Sequence, residues 1–558
     1  MNRKAFVKLL MTTQIWGGVA SGQLVPGVEP VLPEGGPVET LPSPERVEAL
    51  EQGDFLGDGI SKIILERAGV VGISREFDGL AVGVGVDLPS PATLARRIRP
   101  YLEGGLWMSE LEAIADEILA HYDAEGFPVM LLDVPEQDFG SGVVRVLVEE
   151  GRYGRVGVLP PKYGRRQVLA AGMHLRGGEV IRRGALDRQL AWFGRTPFRT
   201  PRLLVSPGSE PGTADVLVQL VEQRPWRIML GYDNGGARLL GEDRLVAAVS
   251  GMTPGEHVLG WQGVLGTPAR TLQANSVAWE IPWHELGQTT ELTAALAEVE
   301  VLGVAGGLTT RNEGTSWALG LRQRAWLPSL WNWQQRVTAG VEMKSTDQFV
   351  LFGSAAVAPG SVRMLQATLG YGLERAWDEG GARVDLAAVL SPGGLVSGNE
   401  DVDFQAYDPL AEAAYKVLRV DGVVWWDLPA DFMVQVRGSG QWSDTRLLPA
   451  EQFAVGGARS VRGVDERDLF GDYGWSGSLE LMTPVVRAWD GLGLRGVGFL
   501  DHGWVGLNRA AGTGAASATS LGLGLRLGWR ENVDFRLDHG WRLDEGGGQT
   551  HFAIRMMY

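Results

Sequence analysis

The stretch Leu521-Gly522-Leu523-Gly524-Leu525-Arg526-Leu527-Gly528-Trp529-Arg530 decides the fold. In an extended chain successive side chains point to opposite sides. Leu521, Leu523, Leu525, Leu527 and Trp529 therefore share one face, and Gly522, Gly524, Arg526, Gly528 and Arg530 share the other. The pattern continues downstream. Val533, Phe535 and Leu537 oppose Asp534, Arg536 and Asp538; Phe552, Ile554, Met556 and Tyr558 oppose His551, Ala553, Arg555 and Met557. These segments predict strands with one apolar and one polar face. Similar short segments, separated by Gly, Asp, Asn and Pro, run back to about residue 226, with little helical periodicity.

Alternation does not say which face is inside, because a soluble β-sandwich gives the same pattern with its leucines buried. Three features favour an apolar exterior in lipid. The polar faces are rich in Gly and Arg, as a wet lumen permits. Many of the 20 tryptophans, among them Trp283, Trp504, Trp529 and Trp541, sit near segment ends, as in interfacial girdles. The sequence also stops on an aromatic residue within an alternating strand. No apolar run reaches the ~18 residues that a membrane helix needs, so a membrane-spanning form must be a closed barrel. Residues 226–558 are enough for roughly sixteen antiparallel strands.

Upstream the texture is mixed. Met1-Asn2-Arg3-Lys4 and Lys8, a short apolar stretch and Ala20-Ser21-Gly22 predict a signal peptide over residues 1–22. Residues 23–70 read as a Pro-rich linker, with a possible short helix within 45–67. Residues 71–150 predict a first small α/β domain. It has strands at Ala81–Val86, Pro128–Pro135 and Val143–Glu149, and helices at Pro91–Tyr101 and Ser109–Tyr122, the second capped by Ser109 with Glu112. Residues 151–225 repeat the theme with a helix near Leu186–Phe193 and a strand at Asp215–Val221.

Composition narrows the chemistry. Lys and Arg total 51 against 67 Asp and Glu, a net charge of −16 that argues against a general nucleic-acid binder. The absence of cysteine excludes disulfides and thiolate metal sites. None of the six lysines (Lys4, Lys8, Lys62, Lys162, Lys344, Lys416) follows a glycine, which excludes a P-loop, and the seven histidines form no His-x-x-x-His pair. Leu500-Asp501-His502-Gly503-Trp504 recurs as Leu537-Asp538-His539-Gly540-Trp541. Adjacent strand residues face opposite ways, so an Asp–His catalytic pair is disfavoured. The plainer reading is two strands ending in the same interfacial register. No catalytic residue, metal site or cofactor is expected.

Arg495, Val497, Phe499 and Asp501 share the polar side of their strand, so in a barrel Asp501 points inward and wants a cationic partner. A connection of about 30 residues, far longer than a hairpin turn, precedes that strand at about 444–474. It holds Gly456-Gly457-Ala458-Arg459-Ser460-Val461-Arg462-Gly463. Local sequence alone favours a solvated external loop for these arginines over one folded back onto Asp501.

Several motifs, in order, resemble those of the TpsB transporters of two-partner secretion, the haemolysin secretion/activation proteins of the POTRA-barrel superfamily. In the first module these are His121-Tyr122 before Gly126-Phe127, Pro135-Glu136-Gln137 and Val146–Gly151. In the second they are Leu186, Leu190 and Pro197, then Ser206-Pro207-Gly208 and Gly212-Thr213-Ala214-Asp215. Asp233-Asn234-x-Gly236 is similar to the barrel entry, Val461-Arg462-Gly463 to the loop signature, and Phe499-x-Asp501-x-Gly503 to the strand signature. Val464 departs from the aromatic that follows the loop signature in the family.

The resemblance implies two POTRA-like domains in the periplasm ahead of an outer-membrane pore. It implies export of a large partner exoprotein, insertion by the barrel assembly machinery, contact with outer-membrane lipid, and an Arg462–Asp501 ion pair that docks the loop inside. The partner-binding residues within the POTRA-like domains are left unassigned. An insertase of the same superfamily and a β-rich surface-binding protein are the alternative readings.

Overall fold

A computed structural model describes residues 55–558 apart from 58, 103, 239–240, 268–270, 306–307, 353–354, 490, 509–513 and 531. The expected signal peptide and most of the Pro-rich stretch lie outside the described residues. The first module is a five-stranded sheet in the order Ile73–Phe77, Leu80–Gly83, Lys62–Glu66, Val143–Glu150, Met130–Asp133. Helices Pro91–Ile98 and Met108–Ala124 cover one of its faces through Leu94, Ile98, Ile114 and Ile118. Two expectations are corrected here. Lys62–Glu66, read as part of the linker with a possible helix, is the central strand, because Ile63 and Leu65 alternate into the core. The long helix starts one residue earlier than expected: the Trp107 backbone N–H donates to Glu110 at 3.0 Å, which leaves no capping role for Ser109 and Glu112.

The second module has a three-stranded sheet, Arg152–Val158, Thr213–Glu222 and Arg199–Pro207, with helices Arg166–Ala171 and Arg183–Phe193. Two of the sequence motifs serve as clamps. Gln137 exchanges hydrogen bonds with the Arg145 backbone at 2.7 and 2.9 Å. Asp215 accepts from the Arg155 backbone and side chain, both at 2.7 Å.

The rest is a closed antiparallel barrel. Its strands are β1 (Trp226–Asp233), β2 (Arg244–Met252), β3 (Val258–Gly266), β4 (Leu272–Trp283), β5 (Gln288–Ala305), β6 (Leu308–Leu330), β7 (Trp333–Phe352) and β8 (Ala355–Trp377). They continue with β9 (Gly380–Pro392), β10 (Ala414–Asp427), β11 (Met433–Ser443), β12 (Tyr473–Met482, extended by Val486–Trp489), β13 (Leu492–Leu507), β14 (Gly514–Trp529), β15 (Val533–Arg542) and β16 (Gly548–Met557). Both parts of β12 pair with β13, so the ring has sixteen strands among the described residues. It closes by β1 pairing with β16 from Met229↔Met557 to Asp233↔Ala553.

Exposure settles the question that alternation left open. Leu523 is 62% exposed and Arg526 on the opposite face 3%. The leucine face is therefore the exterior. A soluble sandwich would reverse these values. Exposed Trp226, Trp283, Trp377, Trp426 and Trp529 mark the rim beside the second module, and Trp442, Trp475 and Trp541 the far rim. Such belts suit a membrane interface. Replacing Leu523 by Arg should cost about 2–4 kcal/mol of barrel stability if this position lies in hydrocarbon. Urea unfolding in phospholipid vesicles measures it; a cost under about 1 kcal/mol would place this face out of the hydrocarbon.

Candidate functional site: a loop docked inside the barrel

The connection between β11 and β12 leaves the far rim and folds into the bore. Its arms, Phe453–Val455 and Leu469–Gly471, pair as a short antiparallel ribbon. Gly456 and Gly457 at φ of 116° and 94° turn the chain beyond the first arm, in a region that side chains rarely enter. Val455, Val461 and Val464 then pack on Val505 and Ala518 of the wall. Val464, which departs from the family aromatic, thus fills an aliphatic pocket.

The tip is held by charge. Arg462 is fully buried, and its guanidinium grips Asp501 of β13 bidentately, Nε to Oδ2 and Nη2 to Oδ1 both at 2.7 Å. The Arg462 backbone N–H donates to the same carboxylate at 3.1 Å, and Nη2 also donates to Ser478 Oγ at 3.0 Å. Nη1 lies 2.7 Å from Glu480 Oε1 on β12, and the guanidinium stacks 3.5 Å above the Phe499 ring. A planar fork flat on a ring is a geometry that lysine does not reproduce.

Around this pair stand groups that sequence reasoning did not single out. Arg437 binds Glu480 at 2.8 Å. Asp538 of β15 receives Arg526 at 2.7 and 3.1 Å and Arg536 at 2.5 Å, and lies 3.8 Å from Arg462. Asp501, Glu480 and Asp538 are all fully buried, so each carboxylate depends on these partners. The repeated Leu-Asp-His-Gly-Trp held the missed signal. In each copy Asp and Gly face the bore, while His and Trp face outward. His502 bonds Thr519 and His539 bonds Thr550, each at 2.8 Å, so neither histidine engages its neighbouring aspartate.

The inward glycines make room. A Cβ on Gly540 would lie 2.4 Å from the Arg462 carbonyl oxygen, one on Gly503 2.5 Å from Val455, and one on Gly522 2.1 Å from the Phe499 ring. Gly463 itself sits at φ 91°, and its N–H donates to His551 at 3.2 Å. Val461, Arg462, Gly463, Phe499, Asp501 and Gly503 thus form one contiguous contact.

The base of the loop is tied to the other wall. Glu451 binds Lys344 of β7 at 2.8 Å and Arg419 of β10 at 3.1 Å. Helix Asp401–Gln405, from the connection between β9 and β10, adds Phe404 to an apolar cluster with Leu447, Leu448, Tyr415 and Met364. Strands β7 and β15 are eight apart in a ring of sixteen, so the loop crosses the bore from wall to wall.

The profile of the haemolysin secretion/activation protein ShlB/FhaC/HecB family matches residues 212–527, more than half of the chain. The chain belongs to this family. The profile of the ShlB-type POTRA domain matches residues 83–151. The outer membrane transporter CdiB of Escherichia coli O6:K15:H31 (strain 536) is 23% identical over 88% of this chain and 80% of its own length. The heme/hemopexin transporter protein HuxB of Haemophilus influenzae is 23% identical over 30% of this chain and 29% of its own. Among solved structures, CdiB from E. coli superposes with a TM-score of 0.71 at 17% identity over 94% of each chain. CdiB from Acinetobacter baumannii gives 0.64 at 15%, over 94% of this chain and 95% of its own. The barrel is an outer-membrane barrel, and the POTRA region faces the periplasm.

The crowding at Gly540 allows the dock to be broken without touching a charge. Gly540→Ala should undock the tip and expose residues 444–472 to protease added to cells, and Arg462→Ala should do the same. Gly498→Ala, where an added Cβ meets nothing within 4 Å, should leave the loop protected. Equal protection in Gly540→Ala and the unmutated chain would contradict this packing.

Proposed function

We propose that this chain exports a large partner exoprotein from the periplasm to the cell surface by two-partner secretion. The observation that carries the reading is the docked loop: a polar bore through a lipid-facing barrel, crossed by a segment held on paired charges rather than by a continuous apolar plug. Paired charges can exchange partners one for another, so a passing chain that offers its own polar groups can displace them. Membership of the family and the likeness to CdiB and HuxB support the same reading.

The two modules supply the receiving surface. Both sheets end in strands, Ile73–Phe77 in the first and Arg199–Pro207 in the second, with one backbone edge outside the sheet pairing. Ile73, Leu204 and Val205 on these strands are exposed. An extended secretion signal can add a strand there, its backbone giving affinity and the apolar side chains giving selectivity. The partner then threads the barrel unfolded, and its folding outside prevents return. Insertion of the barrel by the assembly machinery and its seating in outer-membrane lipid belong to the same reading. So does the function of Val461, Arg462, Gly463, Phe499, Asp501 and Gly503 as the organiser of the pore.

Arg462→Ala removes one partner from a buried pair, a change that typically costs about 3–5 kcal/mol of local stability. The variant barrel should still insert, judged by heat-modifiable migration in detergent gels, but secrete at least tenfold less partner; Asp501→Ala should behave alike. Normal secretion by both variants would remove the functional assignment of this pair.

A further inference from the structure

The turn between β2 and β3, Thr253-Pro254-Gly255-Glu256-His257, is closed by a Thr253 N–H to His257 carbonyl bond at 2.9 Å. Its left-handed position, φ 65°, is occupied by Glu256 although a glycine stands next to it. Glycine or asparagine takes this conformation without penalty, and glutamate does not. A strained residue is retained where its side chain is held by something else.

What holds it is the second module. Arg195 Nη2 lies 2.6 Å from Glu256 Oε2 and Arg199 Nη2 2.7 Å from the same oxygen, while Arg199 Nη1 bonds Oε1. All three side chains are essentially buried. The guanidiniums are aimed by the end of helix Arg183–Phe193. Arg195 donates to the Trp192 carbonyl at 2.9 Å and lies 4.0 Å over the Trp192 ring, and Arg199 donates to the Phe193 carbonyl at 2.8 Å. Burial works against a charged Glu256, yet the two arginines hold its pKa below the ordinary carboxylate range. His284 Nδ1 stands 3.7 Å away, and Arg195 reaches Glu280 of β4 at 3.7 Å.

We infer that Glu256 is a positioning residue: a two-arginine latch fixes the second module to the β2–β6 sector of the periplasmic rim, and it stays fixed while the partner passes. The sector is set further by two aromatic contacts. Trp192 meets Trp326 at 5.6 Å and His284 at 5.8 Å. The module thus stands to one side of the bore entrance, as a delivery surface rather than a swinging lid. This inference rests on the transport reading above for its purpose but not for its geometry.

The test therefore measures both. Spin labels at exposed Glu210 in the module and Glu379 in a rim turn give a distance distribution for the purified full chain in phospholipid vesicles. Glu256→Gly relieves the backbone while removing the carboxylate, and Glu256→Gln keeps the shape if the glycine variant fails to insert. The latch predicts a narrow distribution in the unmutated chain, a broad one in the variant, and secretion reduced at least tenfold.

The sequence has no cysteine, so Gly184→Cys with Ser329→Cys makes a single disulfide. A Cβ on Gly184 would lie 3.6 Å from that of Ser329, within the roughly 3.5–4.5 Å that a disulfide spans. That bond should restore secretion of the Glu256 variant to within twofold and leave otherwise unmutated protein active. A narrow distribution in the variant overturns the latch, and loss of secretion on cross-linking the unmutated chain overturns its remaining fixed. If the unmutated chain secretes nothing while its distribution is narrow, the transport reading fails and the latch stands.

Discussion

Hydrocarbon offers no hydrogen-bond partners, so every backbone N–H and C=O that crosses it must be paired within the protein. No helix among the described residues is long and apolar enough to span a membrane. The ring of strands is then the route across, and its closure by the short β1–β16 pairing is what the remaining structure depends on. Once the ring closes, the period of two sends leucines and tryptophans outward and leaves the bore lined by glycines and charges. The interior is then too polar to collapse and too wide to fill with side chains alone. A long loop can enter only because both conditions hold.

Charge pairing governs the interior as apolar burial governs the modules. Arg462 binds Asp501 and shares Glu480 with Arg437 and Asp538 with Arg526 and Arg536, while Lys344 and Arg419 share Glu451 at the opposite wall. Buried pairs of this kind contribute little net stability compared with apolar packing but penalise any arrangement that leaves one charge alone. The tip is thus specified in position by charge with only a small valine cluster beside it, while the larger apolar contact lies at the base of the loop, an arrangement that suits a tip that a passing chain must displace. The periplasmic latch uses the same logic, with two buried arginines closing on one buried glutamate.

Much of this was legible in residue order. The alternation in 521–530 marked strands outright, and Pro91, Leu94 and Ile98 marked a helix. Orientation was not legible from alternation, because inside and outside are interchangeable until the sheet closes. Lys62–Glu66 was misread because the partners that make it a central strand, around residues 80–82 and 143–147, lie elsewhere in the sequence, and five residues beside a Pro-rich stretch carry little pattern of their own. Asp501 could be placed on the inner face by parity. Its encounter with Arg462, 39 residues away, needed the family resemblance, because local sequence favours a solvated loop. Glu480, Asp538 and their arginines form a network across four strands that no local window contains. Only the repeated Asp-x-Gly hinted at it.

The account stands on the loop tip lying against β13 inside the bore. Val461 of the tip and Val505 of β13 lie in one buried aliphatic cluster, so cysteine at either position replaces a side chain already there, and the sequence contains no cysteine of its own. Disulfide formation between Val461→Cys and Val505→Cys, scored in intact cells without added oxidant, reads that position directly. Near-complete cross-linking for this pair, and none between Val461→Cys and Lys344→Cys on the opposite wall, is the expected outcome. Absence of the first bond, or equal yield of both, would contradict the account.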